Sequence, residues 1–369
     1  MPSLTGSTST PVYVKEGLEA ALMQFGIPDS ITGVTKHVRP VGSYSWVTGS
    51  TPTIVVPGSP SIWTNSRVRR VMPDTGVVVH DENAHHMGRH ASPLTPIFAA
   101  LDALYGADEN LFRYADLDLV TDRANLEKLL RFIMGADTEA FRIDVERGGQ
   151  AVLFTGCEPR VSDRIVGFQG YGRSYQKAAA SPAPGCEAAG GHYRLNVLTL
   201  GGLRILLRFP VAACLSAPSS LTPDSPLLSG HVHGLTVRLN SPPKLVAQSQ
   251  LVELRFTTSR RPLDWAETFP ALSLSRTPWL FVANHSTGVF NEPEKVELSS
   301  EKLAAHAEKA ETSLCKLKLV IAAVLAVVRM HDERVPMSLV REGKKLTLYR
   351  RKMGTGSMLD DQILRRFWK

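Results

Sequence analysis

Apolar and charged positions alternate most clearly in the stretch 251–290. Its first residues, LVELRF, place Glu253 and Arg255 on one face of a predicted strand and apolar side chains on the other. A second apolar strand, PWLFVA at 278–283, is entered through a proline, which a strand tolerates at its start. The residues between them predict a short helix. We therefore expect two buried strands joined by a helix. The charged pair Glu253 and Arg255 on the first strand is not needed for a hydrophobic core and therefore indicates a candidate site.

Helical spacing and turn residues divide the rest of the chain into further elements. The sequence NLEKLLRFIM at 125–134 repeats apolar residues on one helical face and follows a predicted strand, with Arg123 at the junction. Two hairpins are predicted where paired glycines separate alternating strands, at 140–155 and at 192–209. This mixture predicts an α+β fold, in which a central mixed β-sheet is flanked by helices.

The same patterns suggest how the chain is organised. Residues 1–40 are a polar lead with a short helix predicted by the spacing of apolar residues over Val14–Phe25. One α+β domain is predicted over 41–335, and the Ser-, Pro- and Leu-rich segment 216–244 within it is interpreted as a mobile insertion. Residues 336–369 are interpreted as a basic C-terminal extension.

Composition favours an anionic partner. Among 369 residues, 42 Lys and Arg outnumber 35 Asp and Glu, which gives a formal net charge of +7. The four cysteines lack C-x-x-C spacing, so we expect reduced thiols and no cysteine-bound zinc. The N-terminus lacks the pattern of a secretory signal, and the longest apolar run is too short to cross a bilayer. We expect an intracellular protein, nuclear or cytoplasmic, with no membrane partner.

Two histidine-containing segments are candidates for metal sites. The sequence DENAHHMGRH at 81–90 is interpreted as a solvated loop rather than a metal site. The pair His231 and His233 lies in the predicted insertion and is interpreted in the same way. We therefore expect no metal at either place.

Five short motifs occur in an order that resembles one known family. They are TDRANLEKLL at 121–130, GYGRSYQ at 170–176, RILLRFPVA at 204–212, ELR at 253–255 and SRTPWL at 275–280. Over roughly 44–328 this order resembles the decapping exoribonucleases, a branch of the PD-(D/E)xK nucleases, and more closely a fungal offshoot of them. The resemblance implies an α+β nuclease-like core of that type and an ancestral hydrolysis of RNA 5′ ends.

Two of the family's positions are kept in this sequence. Arg123 stands where the resemblance implies an arginine of the RNA pocket, and Glu253 stands at the acid of the family's E-x-K pair. Glu253 is the single family metal ligand that remains.

The other family positions have changed. Gln176 replaces a catalytic glutamate, and Pro210 and Ala212 replace both acids of an E-x-D pair. Arg255 replaces the lysine of E-x-K, and Arg276 replaces a glutamine. A hard divalent cation needs several oxygen ligands, so these changes predict a degenerate metal site.

Two functional hypotheses follow. The first is a pseudoenzyme that needs no cofactor and binds RNA 5′ ends or another phosphate ligand through Arg123, Arg255 and Arg276, or serves as a protein partner. The alternative is an active RNA 5′-end hydrolase, acting in decapping, pyrophosphohydrolysis or exoribonuclease cleavage, whose rearranged site holds Mg²⁺ or Mn²⁺. Acids such as Asp144, Glu146 and Glu187 are candidates for that rearrangement. A simple ion pair between Glu253 and Arg255 on a solvated strand face stays open beside both.

Overall fold

The structure is a computed structural model that describes residues 11–29, 33–88, 91–106, 108, 110–135, 139–216, 228–258, 260–355 and 359–368. The strands are β1 Leu18–Phe25, β2 Lys36–Val47, β3 Thr53–Val56, β4 Ser61–Trp63, β5 Val77–Val79, β6 Leu119–Asp122, β7 Phe141–Gly148, β8 Ala151–Cys157, β9 Ser162–Arg164, β10 Ala180–Ser181, β11 Ala189–Leu200, β12 Leu203–Pro210, β13 Ala213–Cys214, β14 Leu228–Val232, β15 Leu235–Leu239, β16 Leu251–Thr257, β17 Trp279–Ser286, β18 Val289–Phe290, β19 Glu294–Glu297, β20 Met337–Glu342 and β21 Lys345–Arg351. The helices are α1 Val12–Lys15, α2 Glu82–Met87, α3 Thr95–Tyr105, α4 Arg123–Ile133, α5 Gly172–Ala179, α6 Trp265–Ser275, α7 Ala304–Arg329 and α8 Asp361–Arg365.

A twelve-stranded mixed sheet is the centre of the fold, in the order β1-β21-β20-β7-β8-β6-β12-β11-β2-β3-β15-β14. Strand β6 lies parallel to both neighbours, and β15 is parallel to β3, while the other pairs are antiparallel. Successive side chains of a strand point to opposite faces. Leu207 therefore packs in the core beneath α4 and α7, and Leu206 packs in a second core beneath α3. The predicted α+β fold with a flanked mixed sheet is confirmed.

Turn chemistry fixes the register of the hairpin between β11 and β12. Gly201 and Gly202 join the strands at φ values of 52° and 90°, a region that favours glycine. The register runs from Leu200 opposite Leu203 to Tyr193 opposite Pro210. Pro210 is therefore the last residue of β12 and lies opposite Tyr193.

A smaller sheet carries the stretch in which alternation was clearest. Its order is β10-β4-β13-β16-β17-β18, and β19 pairs with β17. Strands β16 and β17 are parallel, so they need a crossover connection, and α6 supplies it. Since α6 packs against α4 and α7, it links this sheet to the larger one.

Tertiary pairing corrects the prediction for both termini. The helix expected over Val14–Phe25 is wrong, because most of that segment forms β1 and pairs with β21. The residues 336–369 do not form an extension: β20 and β21 are integral strands of the large sheet, and Phe367 is buried between Phe98 and Tyr114.

Regular elements occur in two further segments of the chain. Residues 82–87 of the histidine-rich segment form α2, whose first turn is capped by Asp81 accepting from the Ala84 amide at 3.0 Å. Of the predicted insertion 216–244, residues 217–227 lie outside the described part, and β14 and β15 form a hairpin beside β3. Among the helices that the structure describes, none combines the length and apolar character needed to cross a membrane.

Candidate functional site

Glu253 lies in the middle of β16 and is held by two arginines. Its Oε1 atom lies 3.1 Å from Nη2 of Arg123 and 3.1 Å from Nη2 of Arg255. Its Oε2 atom accepts from Nη1 and Nη2 of Arg123, each at 3.3 Å. The Glu253 side chain is only 10% exposed. Both oxygens of the Glu253 carboxylate are therefore engaged by protein cations.

Arg123 begins α4 directly after β6, so the strand-to-helix junction aims its side chain at β16. Its Nε atom lies 2.9 Å from Oε1 of Glu127, one helical turn later, and Nη1 donates to Ser275 at 3.2 Å. The guanidinium also lies over the ring of Phe209, 5.6 Å from its centroid. The residue is buried.

Electrostatics keep Arg123 charged in this environment. Burial by itself lowers the pKa of the Arg123 guanidinium, but the carboxylates of Glu253 and Glu127 outweigh burial and raise that pKa. Two carboxylates also balance the charge of one guanidinium. Arg123 is therefore a cross-link between α4 and β16 rather than a free anion receptor.

The two remaining arginines are more accessible. The Arg255 side chain is 37% exposed beyond its contact with Glu253. Arg276 is exposed and ends α6 in the left-handed conformation at φ 51°, where its carbonyl accepts from the Gln248 amide at 3.1 Å. Within the described ranges, the Arg276 guanidinium forms no ion pair. Arg276 also follows Ser275, the residue that accepts a hydrogen bond from Arg123.

Gln176 and Ala212 lie close to the strand that carries Glu253. Nε2 of Gln176, on α5, donates to the carbonyl of Ala212 at 2.8 Å. Ala213 pairs with Val252 on the antiparallel strands β13 and β16. Ala212 and Glu253 are therefore the residues just beyond this pair, at the same end of it on the two neighbouring strands. The structure thus brings Gln176, Ala212 and Glu253 into one region, where the first two supply an amide and a methyl group.

The donor set does not fit a divalent cation. The described residues contain no group of three or more His, Cys, Asp or Glu side chains placed to hold a metal ion. Asp144 pairs with Arg142 at 2.6 Å and with Arg351, and Glu187 accepts from the amide of Gly185 at 2.9 Å. The third candidate acid, Glu146, is buried on β7 of the large sheet, where burial raises its pKa to about 7. One doubly paired carboxylate is too few for Mg²⁺ or Mn²⁺.

A cavity of about 160 Å³ lies beside Pro210 and contains further carboxylates. Asp122 accepts from Nε and Nη2 of Arg208 at 2.5 and 2.7 Å. Glu82 accepts from the Tyr193 hydroxyl at 3.0 Å, and burial raises the pKa of both Asp81 and Glu82. The acids of this cavity are therefore partly desolvated and internally bonded.

Sequence reasoning missed several of these partners. Glu127 follows Arg123 at the i, i+4 spacing of a helix pair, a signal that is visible in the sequence. Ser275 and the Asp122–Arg208 pair carry no such local signal, because each contact joins segments far apart in the chain.

Solved structures share this fold at low sequence identity. Candida albicans Rai1 in complex with pU5-Mn²⁺ matches with a TM-score of 0.59 and 11% identity, covering 94% of this chain and 99% of that one. Schizosaccharomyces pombe Rai1 in complex with 3′-FADP matches with a TM-score of 0.58 and 12% identity, covering 89% and 99%. Scheffersomyces stipitis Rai1 with (3′-NADP)⁺ and calcium ion matches with a TM-score of 0.57 and 12% identity, covering 95% and 98%. The fold expected from the five motifs, that of the decapping exoribonuclease family, is confirmed.

Sequence comparison identifies a family without assigning an activity. No curated protein matches the sequence. Residues 23–368 match one family model, which covers nearly the whole chain. The chain belongs to the family described as "Domain of unknown function (DUF8563)".

Proposed function

We propose that this protein is a catalytically degenerate relative of the decapping nucleases that binds an RNA 5′ end or another phosphate-bearing ligand without a divalent metal. The observation that carries the proposal is that Arg123 and Arg255 both form ion pairs with the Glu253 carboxylate. In the alternative, an active hydrolase, that carboxylate has to be free for a cation.

Electrostatics oppose metal binding at Glu253. Two unit charges 4 Å apart interact by about 4 kcal/mol at an effective dielectric of about 20, and a divalent ion doubles this. A cation beside Glu253 meets repulsion of this order from each nearby guanidinium, while only one carboxylate attracts it. Burial of Arg123 reduces the screening by water. The site therefore favours anions at its accessible edge over cations at its centre.

Arg255 and Arg276 are the side chains that we assign to the ligand. Both are accessible, and a guanidinium binds phosphate oxygens in a bidentate geometry. Arg123 acts as a positioning residue, because its charge is already balanced by Glu253 and Glu127. The Rai1 structures of similar fold hold pU5 and 3′-FADP, which supports a phosphate-bearing ligand here.

The alternative, a hydrolase with a rearranged site, draws on the cavity beside Pro210. Asp81, Glu82 and Asp122 line it together. Asp122 is bidentate to Arg208, however, so recruiting it for a metal requires breaking that pair. This cost makes the alternative the weaker proposal.

We also propose an intracellular location, nuclear or cytoplasmic. Cys157, Cys186, Cys214 and Cys315 are free thiols, and burial raises the pKa of each. Free thiols are typical of reducing compartments.

The test is hydrolysis and binding of RNAs that carry a 5′ monophosphate, triphosphate or cap. We expect no product with Mn²⁺ or Mg²⁺, and binding that persists in EDTA and weakens in Arg255→Ala and Arg276→Ala. Arg350→Ala is the matched control, because Arg350 is an exposed residue of β21. Metal-dependent product that disappears in Glu253→Ala contradicts the proposal and supports the hydrolase. Binding that is indifferent to both arginines leaves a protein-partner role.

A further inference from the structure

A second cleft lies on the smaller sheet, away from the site just described. Residues 65–69 form one wall, and 289–295 form the other. The backbone amide of Phe290 donates to the carbonyl of Arg69 at 2.8 Å, which ties the two walls together. The cavity measures about 390 Å³, within the range of small-ligand sites.

The cleft and Glu253 are separated by the sheet itself. Val252 and Leu254 pack in one apolar cluster with Trp63 and Phe290, which form the floor of the cleft. Glu253 lies between them on β16 and therefore points to the opposite face, where it meets Arg123. A ligand in the cleft cannot contact Glu253.

The walls of the cleft are rich in cations. Arg67, Arg69 and Lys295 line it, against one acidic side chain, Glu292. Arg67 and Arg69 are exposed, and neither forms an ion pair with the described residues. Lys295 Nζ lies 5.3 Å from the centroid of the Phe281 ring. The cleft thus presents a local excess of positive charge that internal pairs do not neutralise.

Hydrogen bonds hold the cleft open before any ligand enters. Oδ1 of Asn65 accepts from Trp63 Nε1 at 2.9 Å and from Lys295 Nζ at 2.7 Å. Thr64 Oγ1 donates to the carbonyl of Ala179 at 2.9 Å and fixes the same wall to the end of α5. A preformed site loses less conformational entropy on binding than a loop that must first be ordered.

We propose that this cleft binds single-stranded nucleic acid, with backbone phosphates on Arg67 and Arg69 and one nucleotide in the cavity. Guanidinium groups match phosphate oxygens in geometry and charge, and paired arginines beside a cavity of this size favour a nucleotide over an acidic peptide, whose carboxylates need no such volume. Trp63 and Phe290 are buried, so they shape an apolar floor rather than a stacking platform. The site is additional to Arg255 and Arg276.

The experiment measures the affinity of the full chain for a 3′-fluorescein-labelled decauridylate in EDTA over a range of salt. We expect Arg67→Ala/Arg69→Ala to weaken binding at least about tenfold and to lower the slope of log K against log salt by about 1.4, since each phosphate contact on a single strand contributes about 0.7. Arg67→Lys/Arg69→Lys keeps the charge and is expected to retain most of the slope. Thermal unfolding of each variant checks that the exposed substitutions leave the fold intact.

Arg334→Ala/Arg350→Ala is the matched control, because both arginines are exposed beside the β20–β21 hairpin on the large sheet. Unchanged affinity and slope in Arg67→Ala/Arg69→Ala overturn the proposal, and so does the absence of any binding by the wild type. Displacement of the RNA by oligoglutamate at equal charge concentration assigns the cleft to an acidic protein partner instead. If binding is lost in Arg255→Ala/Arg276→Ala but kept in Arg67→Ala/Arg69→Ala, the cleft proposal is overturned and the proposed function stands.

Discussion

Replacing Arg123 with methionine separates a structural role for this residue from a ligand-binding one. The change leaves the Glu253 carboxylate, 10% exposed, with Arg255 as its remaining partner, and it removes the partner of Glu127. Breaking a buried ion pair from one side typically costs about 3–5 kcal/mol, because the other charge stays buried and uncompensated. Since Arg255 still contacts Glu253, we expect Arg123→Met to lower the free energy of unfolding by about 3 kcal/mol, at the lower end of that range.

Urea unfolding followed by circular dichroism measures this loss, and a double-mutant cycle assigns it. An apolar pair often replaces a buried ion pair at little cost, so we expect Arg123→Met/Glu253→Leu to be less destabilised than Arg123→Met alone. Arg350→Ala, on the exposed side of β21, should change the free energy of unfolding by no more than about 0.5 kcal/mol. If Arg123→Met costs less than about 1 kcal/mol, or if the double variant loses the sum of both single losses, the buried cross-link argument is refuted.

Three further predictions address the core and the metal site. Burial raises the pKa of Glu146 to about 7, so its neutral form adds stability that is complete below about pH 4.5 and lost as pH rises through 7. The free energy of unfolding, measured with urea, should therefore fall by about 2.5 kcal/mol between pH 5 and 8 in the wild type but not in Glu146→Gln, and a flat wild-type profile contradicts the argument. Phe367→Ala should lower the free energy of unfolding by about 3–5 kcal/mol, because Phe367 is buried, whereas Trp368→Ala should lower it by less than about 1 kcal/mol, because Trp368 is 53% exposed. Equal losses in the two variants would show that the C-terminus does not pack into the core. A ligand that binds only the folded state raises the melting temperature. Because we expect no divalent cation to bind, adding 1 mM MnCl₂ or EDTA should change the melting temperature by no more than about 1 °C, and a larger rise with Mn²⁺ favours the hydrolase alternative.

The amino-acid sequence by itself determined the local elements near the site. The alternation of LVELRF predicts β16, with Glu253 on the face opposite Val252 and Leu254, and the structure has that arrangement. Glycine pairs predict both hairpins, and the spacing after Arg123 predicts α4. These signals are reliable because side-chain periodicity and turn conformation depend on neighbours within a few residues. The motif order likewise indicates the fold that the Rai1 structures share.

Tertiary structure decided which local signals prevailed where the sequence was ambiguous. Leu18, Ala21, Leu22 and Phe25 fit a helical spacing, yet pairing with β21 makes this segment a strand. The hydrogen bonds of an edge strand come from a partner more than 300 residues away, and no local window contains that information. The pairing of β20 with β7, nearly 200 residues away, likewise lies outside any local window of the basic C-terminus.

The charge state of the site was also decided by tertiary structure. The sequence shows Arg123 and Glu253 as separate members of two motifs, and they become a buried pair only because α4 packs against α6, the helix that connects β16 to β17. The second cleft likewise arises where residues 65–69 meet 289–295. Whether a charged side chain is a free receptor or a neutralised cross-link depends on distance and burial, which long-range packing sets and local sequence does not.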